Sequence, residues 1–260
     1  MIMDTYNSAD DTVSTSKEVQ SKKIAVTAVF AALVTIATLL VRIPEPAAGG
    51  YLDIGDSVIF ITAMLFGRTI GGIAGGIGSM FADLINGAPE YAPATLVIKG
   101  MEGFVTGYVF SKLKDQLSSE STFDTRSMIR ILFIGIVASF LLIVVGLTLD
   151  SIMIAVWLLI VVGLFVAIFL SIFKFKIRSY YLVLSMTAGA AVMVFGYMFY
   201  YIYGVTIVSN LIYGPSAAPL VNWGFVAANS PFDAFQALVC VIIGLILYEG
   251  LYKSRISDII

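Results

Sequence analysis

Residues 54–86 read IGDSVIFITAMLFGRTIGGIAGGIGSMFADLIN, and this stretch decides what kind of molecule the chain builds. Two apolar segments, 54–67 and 69–86, meet at a single polar break, Gly67-Arg68. Neither shows the period-two alternation of a barrel strand. Instead Gly67, Gly71, Gly75 and Ser79 recur every four residues, with Gly72 and Gly76 as a second small stripe beside them. That spacing lets helix backbones approach closely, which is how helices associate in lipid, where no hydrophobic effect drives them together. The glycines do not make a phosphate cradle: Gly-x-x-x-x-Gly-Lys followed by Ser or Thr occurs nowhere, so the chain cannot power transport with ATP by itself.

Outward from this pair the same character continues. Hydrophobic residues make up 59% of the 260 and charged residues 12%, with a mean hydropathy of +0.98. A soluble domain carries about 25% charge. Runs of roughly 17–25 apolar residues, each long enough for a hydrocarbon core of about 30 Å, follow one another with short polar breaks. Backbone groups in lipid must be satisfied internally, so the reading is an all-α polytopic membrane protein. Spans are expected near 24–41, 54–67, 69–86, 93–113, 129–148, 151–173, 179–203 and 232–252. The second and third are short enough to form a re-entrant or strongly tilted hairpin instead.

Charge placement gives an orientation. Lys and Arg accumulate in cytoplasmic loops. With both termini inside, thirteen of the fifteen fall on the inner side; Arg42 lies outside and Lys99 within a span. Residues 1–23, rich in Ser, Asp and Thr, lack a signal-peptide cleavage pattern and read as a disordered cytoplasmic tail. Residues 24–113 hold the first four spans, 129–173 an additional, nearly chargeless transmembrane hairpin, and 179–253 the last two spans. The hairpin reads as lipid-facing bulk rather than as a site of chemistry.

Several function classes drop out. Basic residues are scattered and the net charge is −2, so nucleic acid is not an expected partner. There is no histidine, which removes imidazole triads and His-ligated metals, and an enzyme is not expected. The single cysteine, Cys240, allows no intrachain disulfide and reads as a packed thiol. No metal or cofactor is expected.

The informative polar residues sit at one depth. Asp56 opens the second span, and Asp83 and Asn86 close the third. Lys99 lies about 9 Å below the outer end of the fourth at about 1.5 Å per residue, with Glu102 one turn deeper. Tyr197, Tyr200, Tyr201 and Tyr203 end the seventh span, and Asp233 and Gln236 open the eighth. Ionisable groups inside a membrane are costly and mark function by default. Bland readings exist for each: Lys99 and Glu102 can neutralise each other at i, i+3 spacing, Asp56 and Asp233 can cap helices, and the tyrosines can form an interfacial belt. Their convergence from five helices on one side points to an outward-facing hollow.

Taken in order, these pieces resemble a substrate-binding S component of an energy-coupling factor (ECF) transporter. The residues that carry the resemblance are KKIAVTAVFAAL at the first helix, GGYLDIGDSVIF after the first outer loop, MLFGRTIGGIAGGIGSMFADLI, APATLVIKGMEG, AGAAVMVFGYMFYY and PFDAFQ. The resemblance implies a six-helix bundle with a pocket roofed by the first outer loop, to which this chain adds the 129–173 hairpin. It implies a multi-pass protein of the cell membrane whose partners are a small vitamin-like substrate, a transmembrane coupling subunit docked on Ala28 and Ala32, and ATPase subunits. By position it makes Gly50, Tyr51, Asp53, Asp56, Asn86, Lys99, Glu102, Tyr197, Asn222, Trp223, Asp233 and Gln236 the candidates for lining or roofing the pocket. The ligand it implies is a vitamin or precursor, riboflavin, a pyrimidine or a pyridoxine-like compound. The alternative is a proton-coupled secondary transporter using Asp56, Lys99 and Glu102 as a relay, although the chain shows no convincing internal repeat.

Overall fold

The computed structural model describes residues 2–44, 51–118, 177–215 and 223–253, and nearly all of them are helical. In chain order these are α1 (Ile2–Leu40), a two-residue strand β1 (Ile43–Pro44) paired antiparallel with β2 (Tyr51–Leu52), then α2 (Gly55–Phe66), α3 (Arg68–Asn86) and α4 (Ala92–Ser118). The chain resumes with α5 (Ile177–Phe199), which passes through a π-helical turn (Tyr200–Gly204) into α6 (Val205–Tyr213), and ends in α7 (Trp223–Lys253). The 129–173 hairpin lies outside the described residues.

The ends of α2, α3 and α4 fall close to the expected spans, but helix runs on to Tyr213 rather than ending at 203, α7 begins at Trp223 rather than at 232, and the start of the chain differs too. The polar segment read as a disordered tail is continuous with α1 as helix. Its last part, KEVQSKK, is made of good helix formers, and Glu18 and Lys22 pair at i, i+4 with 2.7 Å between them. Two helical stretches, Lys17–Leu40 and Tyr181–Tyr213, are long and apolar enough to cross a bilayer. At 12 residues, α2 covers about 18 Å and is too short to cross alone.

Helix α3 is the hub, packed against α1, α2 and α4. Its glycines make this possible. A Cβ built on Gly76 would stand 2.5 Å from the Leu96 carbonyl oxygen of α4, and one on Gly78 would stand 2.5 Å from the Ala31 carbonyl oxygen of α1. No side chain fits there, so the stripes seen in the sequence are helix contacts. The hydroxyl of Thr35 adds a hydrogen bond from α1 to the Gly78 carbonyl at 2.8 Å.

A core of Phe60, Met64, Phe110, Leu182, Met186 and Cys240 joins α2, α4, α5 and α7. Cys240 is fully buried, as the packed-thiol reading expects. Around the outside, large apolar side chains such as Val29, Ile73, Phe81, Val97, Phe199 and Ile246 are exposed. A water-facing surface would not carry so many; a lipid-facing one needs them.

Candidate functional site

The two-residue hairpin lies over one end of the bundle, and beneath it a hollow of about 420 Å³, mouth included, opens between the helices. Its walls come from Thr38 of α1, Tyr51 of β2, Asp53, Ser79 and Asp83 of α3, Tyr91 just before α4, Thr95 and Lys99 of α4, Tyr197 of α5, Tyr201 of the π turn, and Asp233 and Gln236 of α7.

The floor is ionic. Lys99 donates to Asp56 Oδ1 and stands 3.5 Å from Glu102 Oε2, and all three side chains are almost wholly buried. The i, i+3 partner foreseen from sequence is therefore the more distant one; the intimate contact crosses from α4 to α2. Gln236 then ties α7 to α2 and to the segment that precedes it. Its amide Nε2 donates to Asp56 Oδ2 at 2.9 Å, and its Oε1 accepts from the Asp53 backbone N–H at 3.0 Å.

Asp53 closes the roof onto this network. Its Oδ1 accepts from the Gly55 backbone N–H at 2.6 Å and from Thr38 Oγ1 at 3.4 Å. Burial, and then the neighbouring Asp56 charge, push the Asp53 carboxyl up to about 7. Opposite it, the Tyr51 hydroxyl donates to Asp83 Oδ1 at 2.7 Å. Asp83 Oδ2 is buried with no hydrogen-bond partner among the described residues.

Aromatic faces make the remaining wall. Tyr197 and Tyr201 stack with ring centroids 6.0 Å apart, the spacing of one helical turn. Tyr197 shares a 2.9 Å hydrogen bond with Thr95, and its ring lies 5.7 Å from Lys99 Nζ. Tyr201 donates to Asp233 Oδ1 at 3.3 Å. Behind them the Tyr200 hydroxyl donates to the Glu90 carbonyl oxygen and the Tyr213 hydroxyl to Glu90 Oε2 at 2.9 Å, which fastens the π turn and α6 to the α3–α4 connection.

Of the sequence candidates, Tyr51, Asp53, Lys99, Tyr197, Asp233 and Gln236 line the hollow, and Asp56 and Glu102 lie buried in its floor. Asn86 is not brought in: its side chain accepts from Arg42, because α3 carries it past the mouth. Gly50 and Asn222 lie outside the described residues, as does the side chain of Trp223. Sequence reasoning passed over Thr38, Ser79, Tyr91 and Thr95 and left Asp83 and Tyr201 out of the pocket set. Two signals were available: Thr95 precedes Lys99 by four residues and Ser79 precedes Asp83 by four, so each pair shares a helix face.

A family model described as "ECF-type riboflavin transporter, S component" matches residues 18–157, more than half of the chain. The chain belongs to that family. The match runs through α1 to α4, the helices that supply the floor and roof of the hollow. Among curated proteins, an uncharacterized protein from Pyrococcus woesei is 57% identical over 79 residues, 30% of this chain and 52% of that protein. A UPF0397 protein of Streptococcus agalactiae is 31% identical over 104 residues, 40% of this chain and 56% of its own length. A protein of Lactococcus lactis subsp. cremoris called thiamine precursor transporter HmpT is 32% identical over 87 residues, 33% of this chain and 52% of that one. The chain thus spans about half the length of the curated relatives it matches. Family membership makes this a membrane transport component and gives the exposed apolar girdle its solvent.

Proposed function

We propose that the chain is the substrate-capture subunit of an ECF-type, ATP-driven importer in the cell membrane, and that it holds a small water-soluble vitamin or precursor without altering it. The observation that carries this reading is the hollow itself: six helices converge on one end of the bundle to combine stacked aromatic faces with a few buried polar groups, the ordinary composition of a small-molecule site. Riboflavin, a pyrimidine and a pyridoxine-like compound are the candidate ligands. Coupling and ATPase subunits supply the energy, and α1 offers them Ala28 and Ala32. Mass spectrometry of small molecules that co-purify with the protein, followed by calorimetry with each, tests the reading; folded protein that binds no vitamin or precursor saturably would end it.

Affinity should depend on the aromatic wall. Tyr197→Ala is expected to weaken ligand binding by roughly 1–2 kcal/mol, about five- to thirtyfold, by removing a desolvated stacking face. Gln236→Ala should cost a comparable amount, since Asp56 and the Asp53 N–H lose a buried partner. Ile246→Ala, on an exposed face of α7, should leave affinity unchanged and serves as the control.

The hollow is read as outward-facing because the basic residues collect at the other side of the membrane. In a chain lacking Cys240, cysteines placed singly at Asn86 and Pro215 should react with an impermeant thiol reagent added outside intact cells, and cysteines at Ser118 and Ser254 should not. Labelling of Ser118 from outside would invert the orientation.

A further inference from the structure

An exposed apolar stripe on α4 ends in a cationic cluster at the end of the bundle away from the hollow. Val97, Met101, Phe104 and Tyr108 follow one another at three- and four-residue spacing, so they share one face of the helix, and each is between 41% and 58% exposed. Lys112 continues the stripe by one more turn, and Arg68 meets it from the start of α3. The Arg68 guanidinium lies 5.3 Å from the Phe104 ring centroid and 5.5 Å from that of Tyr108, and the Lys112 ammonium lies 6.0 Å from that of Tyr108. Close packing fixes this meeting: a Cβ built on Gly107 would stand 2.6 Å from the Arg68 Cα. Rings that take the face of a guanidinium leave the N–H donors at its edge available. The ion pairs among the described residues join Lys22 to Glu18 and Lys99 to Asp56 and Glu102, and neither Arg68 nor Lys112 is in one.

We propose that this stripe holds an anionic phospholipid of the leaflet opposite the hollow, with an acyl chain along Val97, Met101 and Phe104 and the phosphate against Arg68 and Lys112. Depth agrees with that occupant. Arg68 precedes Asp83 by fifteen residues on α3, and Lys112 follows Lys99 by thirteen on α4. The cluster therefore stands about 20 Å from the level of the hollow, near the other boundary of a hydrocarbon core about 30 Å thick. Basic groups at such a boundary attract anionic headgroups. Order along the helix chooses a lipid over an acidic protein segment, since the stripe runs from apolar side chains through an aromatic pair to unpaired cations, as a phospholipid runs from acyl chain to phosphate.

Native mass spectrometry of the detergent-purified full chain, mixed with equal amounts of phosphatidylglycerol and phosphatidylcholine of matched acyl chains, tests this. The wild type should retain phosphatidylglycerol in preference. Arg68→Gln combined with Lys112→Gln should lower that preference at least about fivefold, the effect of losing one cation at a charged membrane surface. Arg68→Lys should keep most of it, which separates charge from packing. Lys17→Gln combined with Lys23→Gln, also exposed but on α1, should leave it unchanged. Lys112→Gln alone decides if the double variant does not fold. Excess inorganic phosphate, which has the anion without the chain, should not displace the lipid. Equal retention of both lipids by the wild type, a preference that survives in the double variant, an equal loss in the α1 control, or displacement by phosphate overturns the proposal. A double variant that keeps its lipid preference but fails to assemble with coupling and ATPase subunits overturns it in favour of a protein partner.

Discussion

Lys99→Met is expected to destabilise the detergent-purified protein by about 3–5 kcal/mol, the cost of leaving buried charge without its partner. Lys99 is 2% exposed, and Asp56 and Glu102 are not exposed at all. With the ammonium gone, two fully buried carboxylates from neighbouring helices lose the counter-charge they share. Among the described residues only the Gln236 amide remains to donate to Asp56. The damage should spread, because Asp56 anchors Gln236 and through it the Asp53 roof. The triple replacement Lys99→Met, Asp56→Asn, Glu102→Gln removes all three charges and should recover most of the loss. Denaturant unfolding followed by circular dichroism reads both outcomes. If Lys99→Met alone is nearly neutral, or if the triple variant is less stable than the single one, the three groups do not form the coupled ionic floor described here.

Ala28→Leu combined with Ala32→Leu is expected to abolish substrate uptake while leaving ligand affinity nearly unchanged. The two alanines are four residues apart on α1, and both are exposed. Their neighbours Ile24, Val29 and Ile36 are exposed as well, so this face is apolar and without a partner among the described residues. A different side of α1 packs on α3: Val34 is fully buried there, and a Cβ built on Gly78 would stand 2.8 Å from its Cβ. Small residues one turn apart admit a partner helix at close range, and leucines would hold it off. The hollow is lined from α1 only by Thr38, which lies beyond the alanines toward the β hairpin. Uptake into vesicles holding the complete importer, beside calorimetry on the isolated chain, separates the two effects. Binding lost as severely as uptake, or uptake that persists, would remove α1 as the docking face.

The sequence by itself determined the solvent and most of the skeleton. Apolar runs with almost no charge admit only helices in lipid, and a four-residue glycine stripe admits only close helix packing, so both are legible without coordinates. The depth of Asp56, Lys99, Glu102, Tyr197, Asp233 and Gln236 was legible for the same reason, since rise along a helix is fixed at about 1.5 Å per residue. Azimuth and partner choice were not. Lys99 and Glu102 share a face at i, i+3, yet the contact that Lys99 makes most closely is with Asp56, 43 residues away, because the glycine stripes of α3 draw α2 and α4 together. Asn86 lies at the right depth and points to Arg42 instead of the hollow. Thr38, Ser79 and Thr95 are unremarkable polar residues in apolar runs until packing turns them toward a common centre. Local periodicity sets how deep a side chain sits; only the packing of one helix against the next sets what it meets there.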